Sequence, residues 1–234
     1  LKPFFFKKFV VEQSRCIHKI GTDGVLLGAW TTSSSHSSIL DIGTGSGVIA
    51  LMMAQKHPNA SIIAIEPDTD SFQEALQNFE ISIWKDRIKV FHKNLEEFAN
   101  QQHVKFDLIV SNPPFYSADT ISNDLRRASA RNQQFLSPNN IFEFCQNNLT
   151  ENGILSLILP YENLDRIKSE LVNFELFINE LCIVYSKKSK SPNRMLLKIG
   201  RQNVFNSSEL TIYNEDNTYT ESYVLLCKDF YLNM

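Results

Sequence analysis

Ser38-Ile39-Leu40-Asp41-Ile42-Gly43-Thr44-Gly45-Ser46-Gly47-Val48-Ile49-Ala50-Leu51-Met52-Met53-Ala54 decides the fold. Its first part has the apolar character of a buried strand. A glycine loop follows, then an apolar helical run that ends near Lys56-His57-Pro58, where proline stops the helix. Strand, glycine loop and helix in this order place backbone N–H groups and a helix N-terminus beside a closely approaching ligand. The spacing is G-x-G-x-G through Gly43, Gly45 and Gly47, not the G-x-G-x-x-G of dinucleotide binders, and no lysine follows as in a phosphate-binding loop. Asp41, just before the loop, is an acceptor suited to an ammonium group, directly or through water.

Moving outward, Ser61-Ile62-Ile63-Ala64-Ile65 reads as the next strand and ends in Glu66. A carboxylate at that tip can accept both ribose hydroxyls of a nucleoside cofactor. With Pro67-Asp68 next, it can equally cap a helix. Phe72, Ala75, Leu76, Phe79 and Ile83 then recur at helical spacing, predicting the amphipathic crossover of a βαβ unit with its aromatic residues in the core.

Further along, the apolar run Phe106-Asp107-Leu108-Ile109-Val110-Ser111 ends in Asn112-Pro113-Pro114-Phe115. An exocyclic amino nitrogen is a poor nucleophile because its lone pair is delocalised. The Asn112 side-chain oxygen and the Pro113 carbonyl can each accept one N–H, which frees that lone pair. Phe115 offers a flat face for a planar substrate, and Pro113 and Pro114 set φ near about −65° and bring no N–H of their own. Taken alone, Asn-Pro-Pro is also an ordinary turn.

Together, the glycine loop, the acid after the next strand and the Asn-Pro-Pro-Phe after the fourth strand resemble the S-adenosylmethionine-dependent amino-methyltransferases. The resemblance implies that the loop holds the methionine part of the cofactor, Glu66 the ribose, and the tetrapeptide the target amino group. The opening narrows it. Phe6-Lys7-Lys8-Phe9-Val10-Val11, followed by Cys16-Ile17-His18-Lys19-Ile20-Gly21-Thr22-Asp23-Gly24-Val25-Leu26-Leu27-Gly28-Ala29-Trp30, is similar to the start of bacterial tRNA1(Val) adenine-N6 methyltransferases. Gly21 and Gly24 are expected to hold Thr22 and Asp23 in a turn before a packed helix. There the two side chains either reach the cofactor's amino-acid end or cap the helix. Asn94, after the third strand, stands where related enzymes carry an acid or serine for the cofactor's adenine. Arg126, Arg127 and Arg131 resemble the family's Ala-Arg-His segment, with Asn132 in place of the histidine. The ending, Tyr223 to Leu232, is also similar.

The resemblance implies an enzyme that methylates N6 of an adenine in tRNA, adenosine 37 beside the valine anticodon, with S-adenosylmethionine as cofactor. Rival readings are a glutamine N5-methyltransferase, which would carry a helical domain before the glycine loop, and an rRNA guanine-N2 methyltransferase, often a duplicated chain. A non-catalytic RNA-binding protein retaining the fold is the rival outside enzymes.

The 234 residues, 43% hydrophobic and 21% charged, suit one α/β domain over 1–234, with 1–37 as a strand and helix extension packed on it. The expected fold is Rossmann-like, with a seven-stranded, mostly parallel sheet, one antiparallel edge strand from a final hairpin, and helices on both faces. In it Gly153 marks a helix-to-strand break. Cys16, Cys145, Cys182 and Cys227 are scattered without metal spacing, so reduced thiols, no metal and a cytoplasmic monomer are expected. No apolar run is of membrane-spanning length, and no export-signal pattern is read in a chain starting at Leu1. A formal charge of −3 is awkward for a tRNA partner, since phosphate neutralisation dominates affinity. The basic residues are nevertheless clustered: Lys187, Lys188, Lys190 and Arg194 in one stretch, Arg126, Arg127 and Arg131 in another. Each cluster is either solvated surface or an RNA contact.

Overall fold

The computed structural model describes residues 2–16, 18–31, 37–101, 104–114 and 136–234. Short strands β1 (Phe4–Phe5) and β2 (Val10–Val11) pair antiparallel and lead to helix α1 (Thr22–Trp30). Strand and helix then alternate: β3 (Ser38–Ile42), α2 (Val48–Lys56), β4 (Ser61–Ile65), α3 (Thr69–Glu80), β5 (Ile88–Phe91), α4 (Leu95–Ala99) and β6 (Phe106–Ser111). Helix α5 (Pro138–Asn148) precedes β7 (Leu149–Pro160) and α6 (Leu164–Leu171). The chain closes with β8 (Phe177–Lys187), β9 (Arg194–Gly200), β10 (Asn206–Tyr213) and α7 (Glu221–Cys227).

Among the described residues the main sheet has eight strands in the order β10-β8-β9-β7-β6-β3-β4-β5. All neighbours are parallel except β9, which runs antiparallel to both β7 and β8. The expected α/β fold is therefore present with two corrections. The antiparallel strand is internal, and the edge strand beyond β8 is parallel. Met195, Leu196, Leu197 and Ile199 are fully buried, as a strand flanked on both sides requires, and this apolar run, broken by Lys198 alone, is the signal for such a position. Asn206-Ser207-Ser208-Glu209, at the start of β10, is exposed and polar, which is why this edge strand was not legible.

One face of the sheet packs against α1, α2, α3 and α7, with Phe6, Phe9 and Val11 of the N-terminal segment in the same cluster. The other face packs against α4, α5 and α6. Local expectations also change. Helix α3 stops at Glu80, so Ile83 lies beyond it and is 78% exposed, and Phe72, expected in the core, is half-buried and stacked on His92. Gly153 lies within β7, at a register shift where a Cβ would come 2.7 Å from the Phe106 carbonyl oxygen. No helix among the described residues is long and apolar enough to cross a membrane.

Candidate active site

The glycine loop leaves the carboxyl end of β3, where ligands of open α/β sheets bind. Its turn needs φ values of +70° at Gly43, +56° at Gly45 and +85° at Gly47, which an L side chain rarely adopts. The amides of Gly43 and Thr44 donate to the Ile65 carbonyl at 2.9 and 3.1 Å, tying the loop to the tip of β4. A Cβ on Gly45 would meet nothing within 4 Å, so this glycine borders open space. Gly47 serves packing instead: a Cβ there would lie 2.5 Å from the Phe79 ring.

Asp41 does not reach that open space. It is fully buried, and its Oδ2 accepts from Thr44 Oγ1 at 2.6 Å and from the Ala50 amide at 3.1 Å, so it braces the loop from beneath. Its Oδ1 has no hydrogen-bond partner. Burial pushes its carboxyl up to about 7, against the pull of the Thr44 and Ala50 bonds and with a further push from Glu66.

Glu66 is 7% exposed, and burial is the main cause that raises its pKa. Its Oε2 accepts from the Gly45 amide at 2.8 Å and its Oε1 from the Asp68 amide at 2.9 Å. Each oxygen is thereby fixed in direction by one N–H and keeps capacity for a second donor. Glu66 is not the helix cap: Asp68 caps α3, accepting from the Ser71 amide at 2.8 Å. Asn94 caps α4, with Oδ1 accepting from the Glu97 amide at 2.8 Å, which leaves its Nδ2 as the group available to a ligand.

Asn112 follows the end of β6. Its Oδ1 is a buried side-chain oxygen without a hydrogen-bond partner, an arrangement native structures rarely tolerate unless a ligand or water completes it. One cavity of about 1330 Å³ is lined by Thr22, Asp23, Gly43, Gly45, Glu66, Asn94, Asn112, Pro113 and Pro114. Single-ligand pockets span roughly 300–1,000 Å³, so this space exceeds the usual size for one small ligand. Asp41 and Gly47 are not in its wall. His18 is in the wall, and its charge is a minor influence that lowers the Glu66 pKa against the larger rise from burial.

Thr22 and Asp23 open α1 instead of forming a turn before it, and neither side chain caps the helix. Asp23 Oδ2 accepts from Arg194 Nε at 2.8 Å. Arg194 is therefore drawn to the cavity rim. Of the other lysines in that cluster, Lys187 donates to the Glu215 carbonyl at 3.0 Å and Lys188 lies 3.5 Å from Glu209. Phe115, Arg126, Arg127 and Arg131 lie outside the described residues.

A family model for the methyltransferase small domain matches residues 20–164. The tRNA1(Val) (adenine(37)-N6)-methyltransferase of Flavobacterium johnsoniae is 41% identical over 234 residues, covering 99% of this chain and all of the relative. The chain belongs to this family. The family's enzymes from Flavobacterium psychrophilum and Haemophilus influenzae Rd are each 39% identical, again over 99% of this chain and 100% and 99% of the relatives. Among solved structures, a predicted O-methyltransferase from Agrobacterium tumefaciens superposes with a TM-score of 0.69 at 16% identity, over 89% of this chain and 96% of that one. A ribosomal protein L11 methylase from Lactobacillus delbrueckii does so at 0.53 and 20%, over 77% of each chain. At such identities these two establish the methyltransferase fold alone.

Proposed function

We propose that this chain transfers a methyl group from S-adenosylmethionine to the exocyclic N6 of adenine 37 in a tRNA, the substrate that its relatives' names state. The observation that carries the reading is the partnerless, buried Oδ1 of Asn112 in the wall of the cavity that also holds Gly45 and Glu66. The residues fit the cofactor: a glycine edge without Cβ, a carboxylate with both oxygens pre-aimed, and an amide donor at Asn94.

When bound, S-adenosylmethionine supplies a methyl group made electrophilic by its sulfonium. Gly43 and Gly45 give the methionine part room to lie against the backbone. Glu66 accepts the ribose hydroxyls, and Asn94 Nδ2 donates to the adenine edge. Thr22 and Asp23 stand at the amino-acid end, while Asp41 acts indirectly by holding the loop. Asn112 Oδ1 accepts one N–H of the target amino group and the Pro113 carbonyl accepts the other, which turns the nitrogen lone pair toward the methyl carbon. Orientation of this kind supplies about 7–11 kcal/mol in well-aligned reactions. The bound donor would supply the methyl carbon, with its sulfur keeping the C–S electron pair as the leaving group. The proton of the methylated nitrogen would pass to water, so no dedicated base is required of the chain. On this reading the enzyme acts on tRNA in the cytoplasm, and as a monomer.

Purified protein, S-adenosylmethionine and unmodified tRNA should yield N6-methyladenosine on nucleoside digestion and mass spectrometry, located at position 37 by fragment mapping. Its absence, or a methyl group on another base, would overturn the proposal.

A further inference from the structure

Helix α3 is amphipathic, yet its buried face carries Glu74 at 1% exposure and Asn78 at 0% beside Ala75 and Phe79. Burying such groups costs free energy unless hydrogen bonds replace water, so their partners indicate what they hold. Glu74 accepts from Ser14 Oγ at 3.2 Å and from the Arg15 and Cys16 amides at 2.9 and 2.7 Å. Asn78 Oδ1 accepts from the Glu12 amide at 2.8 Å. Its Nδ2 donates to the Glu12 carbonyl at 2.9 Å and to the Ser46 carbonyl at 2.8 Å. These partners lie in the N-terminal segment or the glycine loop, not in the body of the sheet. One residue on, Phe79 packs where a Gly47 side chain would be.

The N-terminal segment is also closed on itself. Lys19 Nζ donates to the Gln13 and Cys16 carbonyls at 2.8 and 2.6 Å, and the Ile20 amide donates to Gln13 Oε1 at 3.1 Å. His18 to Gly24 then form a wall of the cavity, with Thr44, Gly45 and Ser46 in the same lining.

We infer that Asn78, supported by Glu74, is a positioning residue of the cofactor site: it fastens the N-terminal segment and the glycine loop to one helix, so that the wall from His18 to Gly24 stands only while the segment is docked on α3. This rests on reading the cavity as the S-adenosylmethionine site. Binding and docking are then linked reciprocally, and a ligand that gains from the wall must also hold the segment down.

The test uses Asn78→Ala and Glu74→Gln, each checked for a cooperative melt, with two readouts. The first is amide hydrogen exchange of the ligand-free proteins. Asn78→Ala should speed exchange across residues 12–16 and the glycine loop about tenfold, as expected for losing buried hydrogen bonds, while β3 and β6 stay protected. The second is calorimetric titration with S-adenosylhomocysteine, where Kd should weaken about tenfold while kcat at saturating S-adenosylmethionine changes far less. Glu74→Gln should move both readouts the same way by less, and it decides the question should Asn78→Ala fail to fold. Unchanged exchange, or wild-type Kd in the folded variant, overturns the inference. Failure of the wild-type protein itself to bind S-adenosylhomocysteine would instead remove the reading of the cavity.

Discussion

At the carboxyl ends of β4 and β6, cavity-lining residues carry acceptors with capacity unspent: Asn112 Oδ1 has no partner, and each Glu66 oxygen has only one donor. At the carboxyl end of β8, on the same edge of the sheet, three of the four basic residues have acceptors within the fold. Lys188 faces Glu209, Lys187 reaches the Glu215 carbonyl, and Arg194 is paired with Asp23. The first arrangement is costly for a protein alone and is relieved by a ligand; the second is mostly satisfied as it stands. A charged cluster in sequence is thus weaker evidence for binding than a single buried oxygen left open.

The sharpest break in this contrast is Asn112→Ala. Losing an oriented acceptor at the reacting group should lower methyl transfer at saturating cofactor by about 10²–10³-fold, comparable to losing one preorganised hydrogen-bonding group, with little change in cofactor affinity. Near-normal turnover would mean that the open oxygen is not the substrate's.

Glu66→Ala should act on binding instead. Hydrogen bonds to charged groups contribute roughly 1.5–3 kcal/mol, so the calorimetric Kd for S-adenosylmethionine should rise about 10- to 100-fold. An unchanged Kd would confine Glu66 to holding the Gly45 and Asp68 amides.

Asp41 sharpens the comparison from beneath the loop. Its folded-state pKa, pushed up to about 7, lies above an unfolded value of about 3.9. The folded state therefore holds this proton more tightly, and the stability it contributes is present below about pH 4 and lost as pH rises through about 7. Thermal melts of the ligand-free protein should show this component, and Asp41→Asn should flatten it across that window. Parallel melting profiles of the two proteins would show that Asp41 does not titrate there.

The smallest effect belongs to the hairpin. Lys190 has no side-chain partner among the described residues, whereas Lys187 and Lys188 do. Replacing all three lysines with alanine should flatten the logarithmic salt dependence of tRNA binding by no more than one contact, ~0.7–0.9 in slope. A loss of two or three contacts would show that the local acids yield to phosphate and would erase the contrast.

Much of this molecule was readable in order along the chain. The glycine loop between an apolar strand and an apolar helix, the acid at the next strand's tip, and Asn-Pro-Pro after a buried strand obey rules spanning a few residues, and each lies where those rules put it. The early alternation of strand and helix was enough for the α/β class and for expecting an opening at the carboxyl edge, where the cavity lies. What could not be read depends on partners distant in sequence. Whether Met195 to Ile199 fill an internal slot or an edge is set by which strands flank them, and β10 opens on four exposed polar residues and alternates only over Leu210 to Tyr213, too short a signal to place it. Asp41 and Glu66 are both carboxylates beside one loop, yet one lies beneath it and the other faces the cavity. Sequence alone groups Arg194 with the hairpin lysines; in the fold Asp23, 171 residues away, lies within 2.8 Å of it. A side chain's chemistry is written in its residue type, but its remaining hydrogen-bonding capacity depends on every donor and acceptor within about 3 Å, and in this fold those come from remote segments brought together by packing.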